Sequence, residues 1–408
     1  METKNIFVII GLIILFISYI FFNELRNFSN NSNLNEVNVK NKNIKFINSS
    51  YPFEHFVKIN DDLLLLSGLK YPEIFITKEY ISNSIEEGSL FLYNIKRDEL
   101  KPMQINTFPE NVPFHPHGIS LYKINSEKYY LYVINHSIKS YSLDSEERIE
   151  KILVEINNPN IKKLNITLTF KNSITLPKSF FGTLNSLVAI NPSVIYFTIN
   201  NYFSLPSFSD DNDIKNKLYK IKFKLYEWVN IFFQKLNLKA TYLYSLEWKN
   251  DNTIEINKIE NSEGISNRGL QYNSLNSILF MSRSFEKDIK IFEISRNDPS
   301  KALLINTIKT VYNVRNLHYD NEQEKLYAGI YGSNKELINL EKNFIQNGNF
   351  DEVTTFGGFE EIDLKNDYKI SDIFLIKNEF KGISSGIKIN NKIYLTSTYQ
   401  NGILIYQK

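Results

Sequence analysis

The amino-acid sequence predicts an all-β protein, a six-bladed β-propeller with an N-terminal transmembrane helix and one inserted amphipathic helix. Three observations lead to this prediction: the length, the composition and a succession of short apolar runs. The chain has 408 residues, of which 42% are hydrophobic and 14% aromatic. At roughly 150 residues per domain, this length fits two or three domains or one large all-β domain. The plentiful aromatic and β-branched residues exclude a wholly disordered chain.

The charge balance and the absence of cysteine exclude several classes of protein. Lys and Arg number 47 against 45 Asp and Glu, a net charge of +2. A nucleic-acid-binding protein would show a basic excess, so we expect no nucleic-acid partner. A chain without cysteine has no disulfide scaffold, no thiolate zinc site and no cysteine nucleophile.

The N-terminal residues 1–26 contain an uncharged apolar run from Ile6 to Phe22. As a helix this run spans roughly 25 Å, the short end of what crosses a bilayer. It ends in bulky residues, with no small residues at the spacing of a cleavage site. We therefore expect an uncleaved signal-anchor, a single-pass protein and a lumenal or extracellular propeller; the alternative is a cleaved signal peptide.

Residues 27–50 are rich in Asn and Ser and predict a flexible polar tether. Asn-x-Ser and Asn-x-Thr sequons, which suggest a glycoprotein, begin at Asn27, Asn30, Asn48 and Asn165.

The body at 51–408 consists of short runs rich in Ile, Leu, Val, Tyr and Phe, separated by Asn, Asp, Gly and Ser. Examples are LLLLSGL at 63–69, VIYFTIN at 194–200 and KIYLTST at 392–398. Runs of this length between turn residues are typical of strands. Roughly two dozen such strands make about six sheets of four, which a propeller accommodates better than one closed barrel.

One segment, 209–238, breaks this pattern. Its apolar residues Ile214, Leu218, Ile221 and Leu225 follow the spacing of one helical face, and lysines occupy the other faces. The segment therefore predicts an amphipathic helix. It either packs as a surface helix on the rim of the propeller, or it lies on a membrane or covers a pocket.

Three of the five histidines lie close together in the sequence: His115, His117 and His136. Two imidazoles on adjacent strands could share a proton and poise one of them as a general base. The alternatives are a zinc site, for which the spacing is unusual, and purely structural histidines.

The residues around these histidines resemble the paraoxonase/arylesterase family. The resemblance is carried by FHPHGIS at 114–120 and, in the family's order, by further short motifs that cover nearly the whole chain after residue 50. These are SGLKYP (67–72), LNSLVAI (184–190), TINNYF (198–203), VRNLHYD (314–320) and SSGIKINNKIYLTSTYQNGILIY (384–406). The resemblance implies a six-bladed propeller, an N-terminal hydrophobic anchor, two axial calcium ions and hydrolysis of aryl esters or lactones.

By position, the resemblance also implies roles for individual residues. His117 matches the proposed general base and His136 its supporting histidine. Glu54, Asn185 and Asn316 match three ligands of the catalytic calcium.

Other family positions carry different residues here. Arg315 stands where the family has a ligand aspartate. Arg268 stands where it has a ligand asparagine, unless a one-residue shift places Asn267 there. At the second, structural calcium, His55 and Ser186 replace two aspartates. The relatives' cysteine bridge is missing as well, so we expect the ring to close by strand pairing between residues near 51–68 and the last strand.

The two arginines make calcium doubtful as a cofactor. A guanidinium about 5 Å from a divalent ion repels it by roughly 6 to 7 kcal/mol at an effective dielectric near 20, close to the whole free energy of a micromolar site. If both side chains point inward, an ion-pair network with Glu54 replaces the ion. If both point to solvent, a residual site at Glu54, Asn185 and Asn316 remains.

Two functions follow from these residues. The first is a membrane-anchored hydrolase of a small ester or lactone, with His117 as base and His136 as its partner. Its groups for binding the oxyanion or the substrate would be Arg315, Arg268, Asn185 and Asn316. The second is a non-catalytic propeller that binds a lipid or a membrane-protein client.

Overall fold

The computed structural model describes residues 43–69, 87–138, 145–157, 165–177, 180, 182–201, 238–250, 253–333, 336, 340 and 355–407. The predicted anchor at 1–26 and nearly all of the predicted helix at 209–238 lie outside these ranges. Nowhere in the described ranges is there a helix long and apolar enough to cross a membrane.

The described residues form twenty-four strands. The first twelve are β1 (Ile44–Asn60), β2 (Leu63–Gly68), β3 (Ser89–Asn94), β4 (Glu99–Met103), β5 (Ile105–Asn106), β6 (Pro116–Lys123), β7 (Lys128–Ile138), β8 (Ser145–Asn157), β9 (Asn165–Thr175), β10 (Thr183–Asn191), β11 (Val194–Asn201) and β12 (Leu243–Asn250). The others are β13 (Thr253–Lys258), β14 (Asn267–Asn273), β15 (Ile278–Arg283), β16 (Asp288–Ile294), β17 (Ala302–Lys309), β18 (Asn313–Asp320), β19 (Lys325–Tyr331), β20 (Phe356–Asp363), β21 (Lys369–Lys377), β22 (Ile383–Ile389), β23 (Lys392–Ser397) and β24 (Asn401–Gln407).

These strands build an all-β propeller of almost entirely antiparallel sheets. Three sheets are four-stranded meanders in chain order: β10 to β13, β14 to β17 and β18 to β21. A five-stranded sheet has the order β5-β9-β8-β7-β6, in which the short β5 pairs in parallel with β9. A seven-stranded sheet has the order β22-β23-β24-β1-β2-β3-β4.

The seven-stranded sheet exists because β1 belongs to two groups of strands. The first part of β1 pairs with β24, from Ile44 opposite Tyr406 to Pro52 opposite Asn401. The second part, from Phe53 onward, pairs with β2. The described residues therefore form five sheets, and the prediction of six separate sheets is wrong in this respect. The strand also starts at Ile44, within the predicted tether at 27–50, so the ring closes slightly earlier in the chain than the predicted range of 51–68.

Six inner strands surround the centre of the propeller. Each contacts the next in the order β1, β6, β10, β14, β18 and β22, and β22 contacts β1 again. Glycines let these strands approach closely. A Cβ atom on Gly118 would lie 2.5 Å from the carbonyl oxygen of Asn185, and one on Gly269 would lie 2.6 Å from that of Arg315. The side chains of residues next to these glycines are thereby held around one axis.

The hydrophobic core lies between the faces of neighbouring sheets. The continuous apolar run Leu63–Leu66 is buried throughout, because β2 is covered on both faces. Outer strands are more exposed, as β17 shows with exposed Leu303 and Ile305. The sequons at Asn48 and Asn165 lie on exposed positions of β1 and β9.

Candidate active site

Glu54 lies at the centre of the propeller, at the point where β1 changes partner from β24 to β2. Only 4% of its surface is exposed, and a buried carboxylate is costly unless it is paired or hydrogen-bonded. The Nδ2 of Asn316 donates to Oε1 of Glu54 at 3.2 Å and to its backbone carbonyl at 3.0 Å. The hydroxyl of Thr398 donates to Oε2. Both carboxylate oxygens are therefore hydrogen-bonded by groups of the protein itself.

Arg315 points inward and is 2% exposed. Its Nη1 donates to the hydroxyl oxygen of Thr398 at 2.7 Å, and its guanidinium lies 5.3 Å and 5.9 Å from the ring centroids of Tyr331 and Tyr399. Thr398 thus accepts from Arg315 and donates to Glu54. This relay joins the two charges, so the alternative in which both arginines face solvent does not hold.

Arg268 has a different environment. It is half-buried on β14, and its side chain makes no hydrogen bond or ion pair within the described part of the chain; its buried Nε has no partner. The neighbouring Asn267 instead donates its amide to the carbonyl of Ser262 at 3.0 Å. It is therefore the charge of Arg268, and not the side chain of Asn267, that acts on Glu54.

The pKa of Glu54 lies below its ordinary value. Burial raises it, but the positive charges nearby and the Thr398 hydrogen bond outweigh burial. His117 contributes as a cation only when it is protonated, so at neutral pH Arg315 and Arg268 hold the carboxyl ionised.

His117 is a buried, neutral imidazole held in one tautomer. Its Nδ1 lies 2.8 Å from the backbone carbonyl oxygen of Asn185. A carbonyl only accepts, so Nδ1 carries the hydrogen and Nε2 is the acceptor nitrogen of the ring. That Nε2 lies 3.8 Å from Oε1 of Glu54. Burial lowers the pKa of His117 to about 4 despite the opposing effect of Glu54, so the imidazole is neutral at pH 7.

His136 lies against His117, with ring centroids 5.0 Å apart and an interplanar angle of 63°. Its Nδ1 is 3.0 Å from both carboxylate oxygens of Glu147, and its buried Nε2 has no hydrogen-bond partner. The two predicted histidines are thus brought together, but no hydrogen bond runs from Nε2 of His136 to His117 through which they would share a proton.

Glu147 is a residue of this cluster that the sequence did not indicate. It lies directly opposite His136 in the β7–β8 pairing, and its Oε2 also accepts the backbone N–H of Leu184 at 3.1 Å. The bond to His136 fixes the orientation of that ring. The available signal was the two-residue period of a strand through SEERIE at 145–150, which places Glu147 on the same face as Ile149.

His115 is held by hydrogen bonds of its backbone and of its ring, and its carbonyl also accepts the backbone N–H of His136 at 3.2 Å. Its backbone N–H donates to Oδ1 of Asn135 at 2.8 Å, and its Nδ1 lies 3.1 Å from the carbonyl oxygen of His136. Across the described ranges, no group of three His, Cys, Asp or Glu side chains is arranged to hold a metal ion. The zinc alternative therefore has no support from the geometry.

His55 and Ser186, at the second family calcium position, act as bridges between inner strands. Nδ1 of His55 accepts the backbone N–H of Ile119 at 3.1 Å, and the backbone of Leu317 makes a further hydrogen bond to its ring. The hydroxyl oxygen of Ser186 accepts the N–H of Leu270 at 3.1 Å. Burial lowers the pKa of His55 to about 4, so this side chain is neutral.

The contacts at Glu54 fit a hydrogen-bonded ion-pair network better than a calcium ion. Calcium needs six to eight oxygen ligands. Here Asn316 turns its NH₂ group toward Glu54, and the buried guanidinium of Arg315 lies one hydroxyl away from that carboxylate. Both polar atoms of the Asn185 amide are buried without a hydrogen-bond partner.

Part of the chain is similar to known arylesterases and paraoxonases. The arylesterase family model matches residues 36–210. The chain is 26% identical to serum paraoxonase/arylesterase 2 of Gallus gallus over 137 residues, and 26% identical to serum paraoxonase/lactonase 3 of Oryctolagus cuniculus over 145 residues. Each match covers 34% of this chain and 34% of the relative, so the chain matches about a third of their length. These findings confirm the predicted resemblance of the chain to the paraoxonase/arylesterase family.

Solved structures resemble the chain over more of its length but less closely. A putative gluconolactonase is 10% identical, with a TM-score of 0.46 over 90% of this chain and 91% of the other. The Malassezia sympodialis allergen Mala s 1 is 9% identical, with a TM-score of 0.47 over 90% and 96%. Similarity at this level carries no functional argument.

Proposed function

We propose that this protein hydrolyses a small carboxylic ester or lactone at the centre of the propeller, with His117 as the general base. One observation carries the proposal: a buried, neutral imidazole whose Nδ1 is fixed by a backbone carbonyl and whose Nε2, the acceptor nitrogen of the ring, lies 3.8 Å from the carboxylate of Glu54. A base must be unprotonated and correctly oriented before the reaction starts. The family resemblance supports the same reaction class.

In the proposed reaction, Nε2 of His117 takes a proton from water while the water oxygen bonds to the substrate carbonyl carbon. The imidazolium that forms is stabilised by Glu54, and the oxyanion by Arg268 and the amide of Asn185. When the tetrahedral intermediate collapses, the C–O bond to the leaving alcohol breaks and His117 returns the proton to that oxygen. Arg315 keeps Glu54 in place through Thr398 and does not contact the substrate.

His136 acts as the supporting histidine in this proposal. Its ring packs edge to face on that of His117, and its bond to Glu147 fixes its position. It thereby restricts the orientation of the base.

The propeller of this proposal has six blades. The closed ring of contacts among the six inner strands supports this count. The double pairing of β1 supports it as well, because the first part of β1 completes the last blade and its second part begins the first blade.

The ion-pair network of Glu54, Thr398 and Arg315 replaces the family's catalytic calcium. Its test is the melting temperature of the purified protein with a chelator and with millimolar calcium. The replacement predicts no change in either case; a melting temperature that falls with the chelator or rises with calcium would restore the residual site at Glu54, Asn185 and Asn316.

Turnover of phenyl acetate and of a δ-lactone, with and without calcium, tests the hydrolase itself. His117→Gln should abolish turnover and leave the melting temperature unchanged. The matched control is His318→Gln, which removes a half-buried histidine of β18 that stacks on Tyr327. Wild-type protein without turnover in every condition would overturn the proposal.

That result would favour the second candidate, a non-catalytic propeller that binds a lipid or a membrane-protein client. The replacement of two of the family's calcium ligands by Arg315 and Arg268 favours this non-catalytic candidate. Both candidates include a single-pass membrane anchor at 6–22 with the propeller lumenal or extracellular. Carbonate extraction of membranes tests this placement: the full chain should stay in the pellet, and a chain without residues 1–26 should be released.

A further inference from the structure

Two guanidiniums, those of Arg315 and Arg268, act on the single carboxylate of Glu54. Glu54 is ionised, Arg315 and Arg268 are both cationic, and His115 and His117 are neutral at pH 7. Arg315 is engaged by Thr398 and by two aromatic rings. The unengaged guanidinium is therefore that of Arg268, whose half-buried side chain makes no hydrogen bond or ion pair with any other described residue.

A second side chain, on the neighbouring inner strand β10, also lacks a partner among the described residues. Asn185 is 1% exposed, and neither Nδ2 nor Oδ1 of its amide has a hydrogen-bond partner. It lies on β10, the inner strand between β6, which carries His117, and β14, which carries Arg268. Buried amides are almost always hydrogen-bonded, so an amide with both atoms unsatisfied indicates that something else binds there.

We propose that Arg268 and Asn185 form a carboxylate-binding subsite next to His117. A guanidinium presents N–H groups in a fork that matches the two oxygens of a carboxylate, and the Nδ2 of Asn185 supplies a further donor. The bound anion pairs with the guanidinium of Arg268. Where the carboxylate comes from rests on the proposed hydrolase. The carboxylate is either the acid released by hydrolysis or a group carried by the substrate.

Binding can be measured without turnover. The full-length protein is titrated calorimetrically with phenylacetate and with phenylacetamide, its neutral analogue of nearly the same shape, at constant ionic strength and pH 7. Phenylacetate should bind saturably, and the amide at least tenfold more weakly. Equal affinity for the two would overturn the subsite.

Variants assign the binding to these residues. Arg268→Gln should weaken phenylacetate binding at least tenfold, while Arg268→Lys keeps part of it, because the charge remains but the fork is lost. Asn185→Ala should weaken binding by a smaller factor and leaves the backbone carbonyl that holds His117 in place. The matched control is Arg296→Gln, at an exposed arginine outside the centre. Binding that is unchanged in Arg268→Gln contradicts the proposal.

Two kinetic arms distinguish the sources of the carboxylate. If it is the product acid, acetate, the acid released from phenyl acetate, inhibits hydrolysis of that ester competitively, and Arg268→Gln relieves the inhibition. If it belongs to the substrate, a half-ester of a dicarboxylic acid has a higher kcat/KM than the neutral diester, and the advantage disappears in Arg268→Gln. Carboxylate binding that depends on Arg268 in a protein without any turnover would uphold the subsite and reject the hydrolase.

Discussion

The centre of the propeller has two levels, built from adjacent residues of the same inner strands. Glu54 and Asn185 belong to the level of the histidine base, and their neighbours His55 and Ser186 belong to the other. At the first level charges are concentrated, and both polar atoms of the Asn185 amide lack partners. At the second, neutral side chains hydrogen-bond backbone N–H groups of facing strands. The difference indicates that the first level is built to bind something and the second to hold the strands together.

The largest effect is expected from removing the negative charge of the first level. Glu54→Gln leaves the buried guanidinium of Arg315 without its counter-charge, which should lower the free energy of unfolding by about 3 to 5 kcal/mol. Denaturant unfolding measures the loss. The double variant Glu54→Gln with Arg315→Met should recover most of it. A single variant as stable as the wild type would show that the ion pair does not stabilise the centre.

Acid should destabilise both levels through their histidines. His55, His115 and His117 have pKa values of about 4 in the folded protein, against 6.5 in the unfolded chain. As the pH falls, the unfolded state therefore binds protons before the folded state does. The contribution of the neutral histidines to the free energy of unfolding is complete above pH 6.5 and is lost as the pH falls toward 4. The loss amounts to roughly 3 kcal/mol per histidine at most. Unfolding free energies measured between pH 7 and 4 test the direction, and a stability that rises over this range would contradict it.

Replacing the bridging side chain of the second level separates stability from activity. His55→Leu keeps the volume but leaves the N–H of Ile119 without an acceptor, which should cost about 1 to 3 kcal/mol. The free energy of unfolding should fall while kcat/KM changes less than twofold. The same variant should also weaken the acid sensitivity. A large loss of kcat/KM without a loss of stability would contradict the structural role and show that His55 takes part in the reaction.

The smallest effect is expected at Glu147, which acts on the base only through His136. Glu147→Gln should lower kcat/KM roughly tenfold and change its pH dependence, with little change in melting temperature. A structural role alone would leave the pH profile of the remaining activity unchanged. A pH profile identical to that of the wild type would therefore remove Glu147 from the proposed mechanism.

Much of this molecule could be predicted from local sequence. Short apolar runs between turn residues predict the all-β propeller, and the motif around His117 predicts the resemblance to the paraoxonase/arylesterase family. The direction of Arg315 could not be read from its position in VRNL, because its partner Thr398 lies 83 residues away in the chain. Thr398 in turn bonds Glu54 across 344 residues. Such contacts depend on how the ring closes, which no local pattern reveals.

The sheet count shows the same limit. A strand shared by two sheets looks in the sequence like one long run with a change of pattern. The exposed positions of 44–50 resemble a tether until the pairing with β24 is known.

The shared strand β1 pairs the start of the described chain with its last strand and so closes the ring of sheets. A shortened protein beginning at residue 51 would retain Glu54, both histidines and both arginines. It would nevertheless lose the pairing of Ile44–Ile47 with the last strand. The first and last blades would then be joined less firmly, and the six inner strands would be held less rigidly around the centre. Its active-site residues would all be present, but the spacing among them would no longer be fixed.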